Sequence, residues 1–142
     1  MTVQGARCVA KLPNVTWLDA SGGVLCDQGV LALSSMTQLT YLSVSQNQSV
    51  TDDAIPHLAR LTNLRSLNLS GTKVTAARLL LLASLTALTS LSLYNTGVKP
   101  CLAKRMAAAW PEVLISGIPE PLLTVTTTIK TFARRGSRVY LA

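Results

Sequence analysis

The stretch "LTNLRSLNLSGTKVT", Leu61 to Thr75, decides the fold. Its apolar residues stand at Leu61, Leu64, Leu67 and Leu69, then at Val74. An amphipathic helix requires apolar residues at i, i+3, i+4 and i+7, and a half-buried strand requires strict alternation. Neither period fits. A step of three becomes a step of two at Leu67, and Ser70, Gly71 and Thr72 end the run.

The same shape recurs. "LTYLSVSQNQSVT" carries Leu39, Leu42, Val44 and Val50, and "LTSLSLYNTGVK" carries Leu88, Leu91, Leu93 and Val98. A weaker copy, "VTWLDASGGVLC", places Val15, Leu18, Ala20 and Leu25 at matching positions. The first positions, Val15, Leu39, Leu64 and Leu88, follow one another at steps of 24, 25 and 24 residues. A fixed period of this length marks a solenoid. The segments leading into each strand agree: "VAKLPNV", "LSSMTQL", "LARLTNL" and "LASLTAL" each hold apolar residues three apart. "AAAWPEV" matches them in outline and predicts a closing strand within Val113 to Ile118. Between strand and lead-in, "TDDAIPHLARL" and "TAARLLLLASL" read as short helices. Thr51 or Asp53, and Thr75, are candidate N-caps, and Asp52 and Asp53 suit the positive end of a helix dipole. Pro100 suits the first position of the next helix, where its missing N–H costs nothing.

The pattern L-x-x-L-x-L-x-x-T-x-V with a helical second half resembles the leucine-rich repeat, in its form with a T-x-V segment after the strand. The resemblance covers residues 9–118 and implies an α/β solenoid, with a parallel β-sheet on the concave side and short helices on the convex side. The domain so defined is 1–118, about four repeats and a closing strand, followed by a basic, partly extended tail over 119–142. The family's Asn after the strand has one counterpart in good register, Asn47. Gly23, Thr72 and Thr96 fill the equivalent places, so loop hydrogen bonding there falls to Thr hydroxyls, backbone or water. The family serves adhesion, ubiquitin-ligase adaptors, immune receptors and assembly factors alike, so the resemblance specifies a fold and leaves the function open.

Energetics favour the stacked arrangement. One unit buries about six apolar side chains worth roughly 1.5–3 kcal/mol each. Ordering its backbone costs about 1–2 kcal/mol per residue, so a single unit does not stand alone. A hydrophobic content of 49% and a mean hydropathy of +0.38 follow from the repeats. The densest apolar run, Leu79 to Ala83, is far short of the roughly 18 residues that read as a membrane span. "MTVQGARCVAKLPN" has no apolar h-region of a signal peptide, so the expectation is an intracellular protein, cytoplasmic or mitochondrial.

Charge is uneven. The chain has 13 Lys and Arg against 6 Asp and Glu. Within 121–142, Lys130, Arg134, Arg135 and Arg138 stand without an acid. Such a tail suits RNA, acidic protein or an anionic membrane surface, or is simply solvated.

Catalytic chemistry has little to build on. Cys8, Cys26 and Cys101 are far apart with no C-x-x-C, which indicates neither a zinc site nor a disulfide framework. His57 is the only histidine, and "SGG" at 21–23 lacks the G-K of a phosphate loop. Adjacent Asp52 and Asp53 point in different directions and read as helix-start residues. The expectation is therefore no enzyme, no cofactor, no metal and no small-molecule substrate.

A surface remains. In a strand, residues alternate between faces, so Leu residues point inward and their neighbours line the concave side. Those neighbours are Trp17, Asp19 and Ser21; Tyr41, Ser43 and Ser45; Ser66, Asn68 and Ser70; and Ser90, Ser92 and Tyr94. The expected site is a floor of small hydroxyls from which Trp17, Tyr41 and Tyr94 rise, with basic residues kept to loops and the convex side. Large aromatics supply contact area and small polar residues supply adaptable hydrogen bonds, while serine can also serve only to solubilise a curved sheet. Three functions remain open: a scaffold or structural subunit binding other proteins by the floor and the tail; an RNA- or ribonucleoprotein-associated subunit; and the recognition arm of a ubiquitin-ligase adaptor. No F-box-like segment precedes the repeats.

Overall fold

A computed structural model describes residues 1–99, 101 and 103–118, without the side chains of 103, 104 and 107. The tail residues Lys130, Arg134, Arg135 and Arg138, the proposed tail segment 119–142 and Pro100 lie outside the described residues. Five strands form one parallel sheet in chain order: β1 (Trp17–Asp19), β2 (Tyr41–Ser43), β3 (Ser66–Asn68), β4 (Ser90–Ser92) and β5 (Leu114–Ser116). One short helix precedes the sheet, α1 (Val3–Val9), and four lie between its strands: α2 (Asp27–Leu33), α3 (Ile55–Leu58), α4 (Ala76–Leu79) and α5 (Ala103–Ala109). A 3-10 turn at Asp52–Ala54 leads into α3, and another at Leu80–Ser84 extends α4. The early tight turn is what admits Pro56 near the start of α3.

Register follows the sequence slots. Leu18, Leu42, Leu67, Leu91 and Ile115 lie side by side across the sheet. Leu42, Leu67, Leu69, Leu91 and Leu93 are all buried in one core that also holds Leu58, Leu82 and Met106 from the convex side. Trp110, before the closing strand, is 5% exposed and part of this core. It occupies the lead-in slot filled by Met36, Leu61 and Leu85 in earlier repeats, all of them buried.

After each of the first four strands the chain turns through one residue of positive φ, at Gly22, Gln46, Gly71 and Asn95. Gly71 has a second constraint: a Cβ there would stand 2.6 Å from the Gln46 side chain of the preceding turn. Asn47 is fully buried beside its turn. Its Oδ1 accepts the N–H groups of Gly23 and Leu25, and its Nδ2 donates to the carbonyls of Ala20, Val44 and Ser45. One side chain thereby satisfies the turns of two repeats. In later repeats Thr72 and Thr96 donate their hydroxyls to the carbonyls of Leu69 and Leu93, a substitution within one turn only.

The acids at the helix starts have a role that the dipole argument misses. Thr51 and Thr75 cap their helices, accepting from the N–H groups of Asp53 and Ala77. Each cap is itself held by an acid from the previous repeat. Asp27 accepts the N–H and hydroxyl of Thr51, and Asp52 accepts those of Thr75. The equivalent place in the next repeat is Ala76, where this ladder of carboxylates stops. Asp53 turns outward to pair with Arg78 at 2.8 Å.

Candidate functional site

The strand register places the predicted floor residues in rows. Trp17, Tyr41, Ser66, Ser90 and Leu114 form one row, and Asp19, Ser43, Asn68, Ser92 and Ser116 form the next. Ser21, Ser45, Ser70 and Tyr94 follow just beyond the strands. The predicted residues therefore share one face of the sheet.

The aromatics are divided. Trp17 and Tyr41 stack with ring centroids 4.8 Å apart and planes 9° from parallel. Trp17 is 59% exposed and Tyr41 half-buried. Tyr94, 58% exposed, stands in the line of β4 and two rows away, outside this pair. Its backbone lies against Gly117, just past the last strand, where a Cβ would stand 2.2 Å from the Tyr94 nitrogen. Leu114, 51% exposed on β5, adds an apolar floor residue that the site prediction did not include. Its signal was available, because it follows Val113 as Ser90 follows Thr89 in the preceding strand.

The hydroxyl floor is largely occupied with itself. Ser21 bonds both Ser43 at 2.7 Å and Ser45 at 2.9 Å, and Ser70 bonds Ser92 at 2.9 Å. Ser70 also accepts the N–H of Tyr94. Ser43 is only 2% exposed, so as a contact residue it is corrected: its hydroxyl belongs to the fold. Close strand spacing and short side chains bring these oxygens within hydrogen-bond reach of each other before any partner arrives. Ser66, Ser90 and Ser92 remain half-buried along the middle of the floor.

Asp19 is exposed and accepts the N–H of Ser21 at 2.9 Å. The Ser21 hydroxyl, then that N–H, hold its carboxyl below the usual carboxylate range. Asn68 makes the same turn contact with the N–H of Ser70. Arg65 is exposed at the margin of β3 and does not pair with Asp19. His57 lies half-buried on α3, on the convex side, with Nδ1 lacking a partner among the described residues. Cys8 and Cys101 are exposed and Cys26 precedes α2, each a free thiol. Among the described residues no three His, Cys, Asp or Glu side chains converge on a metal position.

No family model matches the sequence, and no curated protein matches it. Solved structures do match the fold. An internalin (inlF) of Listeria monocytogenes is 21% identical with a TM-score of 0.65, over 90% of this chain and 35% of its own. The LRR protein LIC12759 of Leptospira interrogans is 21% identical with a TM-score of 0.60, over 82% and 28%. A structure of Chaetomium Mex67:Mtr2 subunits is 18% identical with a TM-score of 0.59, over 92% and 98%. This chain thus spans 35% of the internalin and 28% of the Leptospira protein. With the parallel sheet and the short helices opposite it, these likenesses define the fold as a leucine-rich-repeat solenoid.

Proposed function

We propose that this protein is a non-catalytic protein-interaction module, a structural or scaffold subunit of a larger assembly, that receives its partner on the concave floor. The observation carrying this reading is Trp17, exposed and stacked on half-buried Tyr41, on a sheet face where Ser21, Ser43 and Ser45, and Ser70 and Ser92, bond one another. Exposed aromatics of this size supply most of the binding energy when a partner covers them. The free thiols suit a reducing, intracellular compartment. Among the described residues no helix is long and apolar enough to cross a membrane.

The test is affinity capture with the full chain, the W17A/Y41A double variant, Y94A and a chain lacking 121–142, with captured proteins identified by mass spectrometry. Loss of one partner from the double variant, with the repeats still folded, is the expected result. An unchanged partner set from that variant overturns the floor as the docking face. Loss confined to the truncated chain moves docking to Lys130, Arg134, Arg135 and Arg138. The net charge of +7 supports a second reading, association with RNA or a ribonucleoprotein through the tail. Phosphate contacts weaken steeply with salt, so capture lost as salt rises from 50 to 200 mM and abolished by ribonuclease separates that reading from the first. Nothing on the floor favours a ubiquitin-ligase arm over another protein partner.

A further inference from the structure

One corner of the floor selects for a partner's chemistry. Trp17 presents one ring face to Tyr41 on β2. Because β1 is the first strand of the sheet, the other face looks away from every described strand, and the side chain is 59% exposed. Asp19 projects to the same side two residues further on, about 6.6 Å along the strand. It is exposed, its bonds come from Ser21, and no described cation pairs with it. The other acids near it in sequence are committed: Asp27 to Thr51, Asp52 to Thr75 and Asp53 to Arg78.

The backbone of β1 adds an open edge. The Thr16 carbonyl and the Ala20 N–H bond toward β2 and its flanks. Parallel pairing uses alternate residues, so the main-chain groups of Trp17 and Asp19 turn to the unpaired side. An extended segment laid along this edge brings its side chains over the outer face of Trp17.

We infer that this corner binds an arginine side chain of the partner, its guanidinium stacked on the outer face of Trp17 and donating hydrogen bonds to Asp19. A guanidinium is planar, permanently charged and weakly hydrated, so it stacks on an indole and donates sideways to a carboxylate at once. A lysine ammonium has the charge without the plane. A neutral amide or urea has the plane without the charge. An acidic side chain meets Asp19 as a like charge. The inference rests on the floor being the docking face, and it names what that face recognises.

The probes are the blocked peptides acetyl-Gly-Gly-Arg-Gly-Gly-amide, its citrulline counterpart and its lysine counterpart, titrated into the ¹⁵N-labelled full chain. The Trp17 indole N–H and the Asp19 and Ser21 amides report the corner, and the buried Trp110 indole serves as the internal reference. The arginine peptide is expected to shift the corner signals saturably, with the citrulline peptide at least about fivefold weaker and the lysine peptide weaker than arginine. D19N should lower arginine-peptide affinity about fivefold, the scale of one exposed charge pair plus its hydrogen bonds. W17A should abolish the Asp19 and Ser21 shifts while signals from β3 and β4 stay in place. Equal binding of the citrulline peptide, tighter binding of the lysine peptide, indifference to D19N or no saturable shift of the corner each overturns the inference. If W17A/Y41A releases the captured partner but the peptides show no arginine preference, the docking face stands and the arginine reading fails. If the arginine peptide binds as expected while the double variant keeps its partner, the corner's chemistry stands and the docking assignment fails.

Discussion

Leu18 and Leu42 fill the same slot of successive repeats, yet Leu42 is sealed in the core and Leu18 is half-buried. The lead-in residues repeat the contrast: Met36 is buried, whereas Leu12 in the equivalent place is 50% exposed. Val24, 70% exposed, stands where the next two repeats carry Ser49 and Lys73. On the convex side α1 packs against α2, but among the described residues the sheet side of the first repeat has a neighbour on one flank only. Burial in this architecture belongs to the stack, since each rung is closed by the rung on either side. The same half-open state keeps the outer face of Trp17 accessible.

The largest test of that contrast is Leu67→Ala, which removes a side chain enclosed by β2 and β4. It should destabilise the fold by about 2–5 kcal/mol, read as a lower denaturant midpoint. Leu18→Ala in the open slot should cost about 1 kcal/mol, since only part of the side chain leaves water on folding. Equal losses from the two variants would break the comparison and place β1 under a cover.

Asn47→Ala comes next. It strands the N–H groups of Gly23 and Leu25 and the carbonyls of Ala20 and Val44, while the Ser45 carbonyl keeps the N–H of Gly22, and should cost about 2–3 kcal/mol. Asn47→Thr, copying Thr72, should recover only the part that a hydroxyl can donate to a carbonyl in its own turn. Full recovery would show that the Asn does not join the two repeats. Asp52→Asn should cost about 1 kcal/mol through the Thr75 cap it holds, a loss visible in thermal unfolding. Arg78→Ala should change stability by less than about 0.5 kcal/mol, because both members of its pair are exposed. A loss from Arg78→Ala as large as that from Asp52→Asn would mean that the outward pair, and not the cap ladder, ties these repeats together.

Much of this architecture was legible in the spacing. The steps Leu64, Leu67, Leu69 and Val74 imply strand, turn and return, and the 24- and 25-residue recurrence implies that strands pair in parallel with their copies. The Thr caps were legible too, because capping acts within one turn of chain. The site was legible only as a face. Alternation places Trp17, Ser43 and Tyr94 on that face, but nothing in the linear pattern says that Ser43 is submerged beneath Ser21 and Ser45, or that Tyr94 stands apart from the stacked pair. The carboxylates of Asp27 and Asp52 resemble ordinary helix-start acids for the same reason: their partners lie a whole repeat away.

What the sequence determined by itself is the repeat: which residues face inward, where each rung turns and where its helix begins, because these depend on bonds and packing within about two dozen residues. What only the tertiary structure decided is how neighbouring rungs meet: the Trp17–Tyr41 stack, the serine network, the burial of Trp110 and the half-open state of β1. Those contacts join residues some 22 to 25 positions apart in the chain, and they exist only once the rungs are laid against each other in register.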